Sequence, residues 1–291
     1  MMPTVRVGHS SRGAGFAPIF MANDAGYFAE RNVEVVPDES PSTAISLQKL
    51  LRGELEVAGT SGVAILYAAL SGANPIVVMS LEAENVFTVI GSEHVAGPED
   101  LRGSVVAANS EKDQDYLIMA RALRDWGLEP HSDVAVEFLG SRGANWEALL
   151  AGEVHAMAST IPLNFVAEKR GLPILRDFST EGGPYQLGSF VTTREYADAN
   201  GDTLRAFLAG MLDGYRLFQS DVESALGYMQ ARSRIEDVDV LRKTHAVFDH
   251  AMDHYVPSAA ALAAVLRDLQ ASQAEPVDLD VSALVDPSFL P

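Results

Sequence analysis

Two stretches of the chain end a nearly identical phrase in small hydroxyl residues. Lys49 to Ser61 reads KLLRGELEVAGTS, and Ala148 to Thr160 reads ALLAGEVHAMAST. Each carries a leucine pair, a Gly-Glu and a short apolar run before its hydroxyls, the pattern of a glycine-stopped helix, a turn, a strand and a polar strand end. Elsewhere the chemistry-bearing residues fall into small groups. In His9-Ser10-Ser11-Arg12, arginine can clamp a carboxylate or sulfonate through two parallel hydrogen bonds while serine hydroxyls complete the oxyanion's shell. The alternative is that Arg12 is a solvated loop charge. His9 can exchange a proton near neutral pH, or it is a polar loop residue.

Glu82 and Glu84 form a second group, able to bind an amine or to transfer a proton with one carboxyl perturbed by the other. They are equally the composition of an exposed hinge; if Glu82 faces the ligand, that ligand has a cationic or hydroxyl part. Asn109, Ser110 and Gln114 lie at an expected strand-to-helix junction, where Ser110 is a candidate N-cap and the helix start a candidate anion site. Ser141-Arg142-Gly143-Ala144-Asn145 repeats that arrangement, with Arg142 a second clamping cation. Trp146 and Tyr185 can stack on an aromatic ligand, against helix packing for Trp146; Tyr185 is expected in a Gly-Pro loop. His250 and His254 share a helix face near His245, a two-ligand geometry that reads better as a solvated acidic helix end, so no metal and no cofactor is assigned.

The elements that must position these groups alternate strictly. Strands are expected at 4–7, 33–36, 55–59 and 76–81, with helices at 17–31, 44–51 and 62–71 between them. The pattern restarts after Glu84-Asn85, with strands at 86–90, 105–108, 134–139 and 174–178 and helices at 113–126 and 162–170. Such alternation predicts parallel βαβ units covered on both faces. A strand at 187–193 and helices at 202–219, 222–232, 235–248 and 258–271 complete the chain. Lobe boundaries of 1–85 with 187–291, and 86–186, follow, with a hinge near 84–90 and 181–190.

The 291 residues are 47% hydrophobic, enough for a sizeable core. A formal net charge of -19 repels phosphate backbones and anionic lipid headgroups, making nucleic acid and membrane surfaces poor partners. The absence of cysteine excludes disulfides, thiolate metal sites and cysteine nucleophiles. The opening residues show no secretory signal, so the expected location is cytoplasmic, or periplasmic or extracellular if the chain is a trimmed form.

GFAPIFMANDAGYFAERNVEVV resembles the opening of substrate-binding proteins of the nitrate, sulfonate and taurine type. LLRGELEVAGTSGVAILYAALSGANPIVVMSL is similar to the same family's next two βα units, and VDLDVSALVDPSFL to its C-terminal tail. The resemblance implies a type II periplasmic-binding-protein fold, α/β with two lobes, a hinge and a central ligand cleft. It implies that Thr60, Ser61, Ser159 and Thr160 offer hydroxyls to a small organic anion, in keeping with ligand placement beyond strand carboxyl ends in open α/β sheets. The implied partners are a small-molecule ligand and the permease of an ABC importer. The same fold resembles cytoplasmic enzymes, so the alternative is a cofactor-free decarboxylase or lyase of an aromatic acid using His9 or Glu82 as proton donor. Arg12→Ala is expected to weaken anion binding by about 1.5–3 kcal/mol, the worth of a charged hydrogen bond; an unchanged dissociation constant removes Arg12 from the site.

Overall fold

The structure, a computed structural model, describes residues 2–10, 14–273 and 275–291. The chain forms two compact units, Met1–Ala83 with Tyr185–Ala263 and Asp278–Pro291, and Glu84–Pro184 with Ala264–Val277. The sequence reading kept 187–291 together. The structure gives 264–277 to the second unit, where Arg121 lies 3.8 Å from Asp268 and Arg124 hydrogen-bonds Ser272.

In the first unit β1 (Thr4–Ser10), β2 (Glu34–Ser40), β3 (Val57–Ser61) and β4 (Pro75–Glu84) alternate with α1 (Ala17–Asp24), α2 (Thr43–Leu51) and α3 (Gly62–Leu70). The second contains β5 (Thr88–Gly91), β6 (Val105–Ala108), β7 (Ala135–Phe138), β8 (Ala156–Ser159) and β9 (Ile174–Asp177), with α4 (Gln114–Asp125), α5 (Arg142–Ala151) and α6 (Leu163–Lys169). The chain continues through β10 (Pro184–Thr193), α7 (Arg194–Ala199), α8 (Gly201–Ser220), α9 (Val222–Ser233), α10 (Val238–Met252) and α11 (Ala259–Ala271). The sheet orders are β2-β1-β3-β10-β4 and β7-β6-β8-β5-β9.

Neither sheet is all-parallel. β1 runs parallel to β2 and β3, and β6 to β7 and β8, but β10 is antiparallel to β3 and β5 antiparallel to β8 and β9. β5 and β10 are the strands that follow a change of unit, so no helical crossover forces them parallel to a preceding neighbour. Both sheets are apolar through their middles: Val5, Val7, Val57 and Ile76–Met79 in one, Val89, Val106 and Met157 in the other, are fully buried. Continuous apolar runs are what strands covered on both faces require. Among the described residues no helix is long and apolar enough to cross a membrane.

The expected helix over 17–31 stops at Asp24, because Gly26 turns the backbone to φ 80° and the following residues form a separate 3-10 turn ending at left-handed Asn32. α1 packs closely on α8. A Cβ added at Gly214 would stand 2.6 Å from the Pro18 carbonyl oxygen and 2.9 Å from Ala22 Cβ. Gly214→Ala should therefore destabilise the protein by about 1–3 kcal/mol in chemical denaturation, overpacking outweighing alanine's better helix propensity; an unchanged midpoint would show that the two helices can separate freely.

Candidate functional site

In the first unit the strand register assembles a row of hydroxyl residues. Ser10 pairs with Ser40, Ser189 pairs with Thr60, and extending the Gly8↔Ala58 register sets Ser10 level with Thr60. The row Ser40, Ser10, Thr60, Ser189 thus crosses four adjacent strands. Thr60 Oγ1 donates to the Thr43 carbonyl at 3.0 Å, fixing the start of α2, whereas Ser189 Oγ is buried with no partner among the described residues. Ser61 follows, half-buried, at the N-cap position of α3 without bonding the helix's own N–H groups. Its hydroxyl and the first-turn amides point the helix's positive end beyond the sheet.

His9 is 4% exposed, with its ring centroid 5.8 Å from that of Phe16 and 5.2 Å, edge-on, from that of Phe20. It belongs to an aromatic cluster rather than to a polar loop. Ser11 and Arg12 lie outside the described residues. Glu82 and Glu84 are part of β4 itself, not of a segment following it, because the strand continues past Leu81. The Glu82 carboxylate oxygens lie 3.3 Å and 3.1 Å from where Cβ atoms on Gly15 and Gly188 would stand, so both glycines let the backbone approach it. Gln186 braces this edge: its Oε1 accepts from Ser80 Oγ at 3.2 Å and its Nε2 donates to the Gly188 carbonyl at 2.8 Å. Tyr215 donates to the Ser80 carbonyl at 3.4 Å, and burial, reinforced by the charge of Glu82, keeps its phenol protonated. Tyr185 is buried inside β10; the strand starts at Pro184, earlier than expected, since this residue needs no N–H partner at a strand end.

The second unit repeats the device with amides and acids. Thr88 pairs with Ser159 and with Asp177, and extending the Ala107↔Met157 register sets Asn109 level with Ser159. Asn109 is bonded on three sides: its N–H donates to Asp115 Oδ2 at 2.8 Å, its Oδ1 accepts from Asn145 Nδ2 at 2.9 Å, and its side chain bonds Asp113. Asp113, not Ser110, occupies the N-cap position of α4; Ser110 is exposed and its carbonyl accepts the Asp113 N–H in the preceding turn. Gln114 is buried in the first turn. Burial pushes the Asp115 carboxyl up to about 7, with Asp113 raising it further and Arg142 opposing. Arg142 is exposed at the first position of α5, beside the Ser141 N-cap, whose Oγ accepts the Ala144 N–H at 3.2 Å. Ser159 is fully buried and its carbonyl accepts from Thr88 Oγ1 at 3.4 Å; Thr160 is buried beside it. Trp146 packs in the core with Ile90, Leu149 and Met157.

The sequence reading did not single out Asp113, Asp115 or Ser189. Ser40 was visible only as a letter, because register, not spacing, brings it into the row, and Asn145 reaches Asn109 from α5 through a side-chain hydrogen bond. His250 and His254 lie with ring centroids 5.1 Å apart, as their i,i+4 spacing indicates, while His245 instead stacks on Phe218 at 4.6 Å.

A family model described as NMT1/THI5 like matches residues 14–225. No curated protein sequence matches. Among solved structures, the periplasmic aliphatic sulphonate binding protein SsuA from Escherichia coli is similar over 97% of this chain and 91% of its own, with a TM-score of 0.76 and 19% identity. The alkanesulfonate-binding protein SsuA from Xanthomonas axonopodis pv. citri, bound to MOPS, gives 0.75 and 20% identity over 97% of each chain. The periplasmic nitrate-binding protein NrtA from Synechocystis PCC 6803 gives 0.80 and 12% identity over 99% of this chain and 87% of that one.

Asp115 generates a pH prediction. Its folded-state value of about 7 lies above the ordinary aspartate value of 3.8, so the native state holds the proton more tightly and stability from this group falls as pH rises from about 4 to 7. Asp115→Asn, which stays neutral, should flatten the pH dependence of the melting temperature across that window; an unaltered slope would place the titration elsewhere.

Proposed function

The chain belongs to the NMT1/THI5-like family and has the two-lobe type II periplasmic-binding-protein fold, and from that premise we propose that it binds a small organic anion of carboxylate or sulfonate type as the solute-binding component of an ABC importer. The observation that carries this reading is the pair of polar rows that register assembles, Ser40-Ser10-Thr60-Ser189 and Asn109-Ser159-Thr88-Asp177, at the ends of sheets whose middles are mostly apolar. Ser40, Thr60, Thr88 and Ser159 spend their hydroxyls on acceptors of the protein itself, but Ser189 Oγ has no partner among the described residues and Ser61 leaves the start of α3 uncapped, so donors that suit an oxyanion remain at the end of the first sheet. The structural relatives named for sulfonates and nitrate support the same ligand class. The permease would be the protein partner, and the chain would meet its solute in the periplasm or outside the cell.

A second reading, an enzyme such as a cofactor-free decarboxylase or lyase of an aromatic acid, is favoured by one observation. Asp115 holds a carboxyl poised near neutrality, the condition for a general acid. His9, enclosed by Phe16 and Phe20, is less suited to that task.

Thermal-shift screening against carboxylates, sulfonates and aromatic acids, with mass spectrometry of each incubated mixture, separates the two. The solute-binding reading expects a ligand that raises the melting temperature and is recovered unaltered. A ligand that loses carbon dioxide or is otherwise converted would replace it with the enzyme reading.

A further inference from the structure

We propose that Arg232 is the anion-recognising cation of the first unit, its guanidinium taking the carboxylate or sulfonate oxygens of the ligand; the assignment rests on the solute-binding reading above. Arg232 lies near the end of α9, half-buried, with its guanidinium carbon 3.0 Å from the Phe20 ring centroid. Phe20 meets His9 edge-on, so the cation stands one aromatic layer from the end of β1.

What distinguishes this arginine is that it has no acid. The chain has 40 acidic residues against 21 basic ones, and its other half-buried arginines are matched: Arg31 with Asp213, Arg121 and Arg176 with Glu181, Arg124 with Glu129, Arg194 with Asp286. Arg232 makes no hydrogen bond or ion pair with any described residue, and its Nε is buried without a partner. The acids around it act only through space. Asp24 is engaged by the Tyr228 hydroxyl, and Glu39 is exposed on β2 in register with His9. Burial is the largest influence on its proton affinity and lowers it, while Glu39, Tyr228 and Asp24 act the other way from a distance.

A guanidinium with one face on an aromatic ring and its fork unmatched is suited to a planar or tetrahedral oxyanion, which supplies two acceptors at once. The surrounding acids repel a free anion, so only a ligand with its oxyanion directly on the fork gains from the site.

The test is calorimetric titration with ethanesulfonate and benzoate of the wild-type chain, Arg232→Gln and Arg232→Lys, with ligand-free melting temperatures measured in parallel. Arg232→Gln is expected to weaken binding about 10- to 100-fold while leaving the ligand-free melting temperature unchanged or raised, since no hydrogen bond or ion pair with a described residue is removed and a partly buried charge is. If Gln instead lowers that temperature, Arg232→Lys decides, because it keeps stem and charge but loses the fork and must still weaken binding. Equal affinity in the variants would overturn the assignment and leave the solute-binding reading standing. A bridging water as the sole occupant gives that same result. Binding of neither probe by the wild-type chain would bring both down.

Discussion

The structure rests on burial of the sheet strands on both faces. A strand such as β3, or the body of β4 from Ile76 to Met79, has no solvent side on which to place a polar group, so hydrogen-bonding side chains concentrate at strand ends. Because β1, β2 and β3 are parallel, their carboxyl ends lie on one edge, and register lines up Ser40, Ser10 and Thr60 there. The antiparallel strand β10 enters at the same edge and adds Ser189. The polar row thus follows from core packing whatever it binds.

Much of this was legible in the sequence. The doubled phrase around Thr60 and Ser159 marked the two strand ends, since glycine stops and hydroxyl pairs are local signals. Their surroundings differ: Ser61 passes directly into α3, whereas Thr160 to Pro162 intervene before α6. What was not legible depends on contacts remote in sequence. Asp113 displaced Ser110 from the N-cap position because its carboxylate is held by Asn109, a bond no spacing rule specifies. Tyr185 reads as a loop residue beside Gly182, Gly183 and Pro184, yet β10 begins at that proline. Arg232 lies near the end of α9, where an arginine ordinarily reads as surface.

The two units divide the electrostatic work. In the second, Asp113, Asp115 and Asn145 converge on Asn109, and Arg142 offsets two partly buried acids. In the first, a cation lacks its counterpart. With a net charge of -19, a small anion would meet a repelling surface and be retained only where specific donors replace its water.

The most direct measurement of this account is a crystal structure of the chain with the organic anion that stabilises it most. The account predicts the oxyanion at the polar strand ends, within hydrogen-bonding distance of the Ser61 hydroxyl or the first amides of α3. An anion bound elsewhere, touching neither the Arg232 guanidinium nor either polar row, would contradict it.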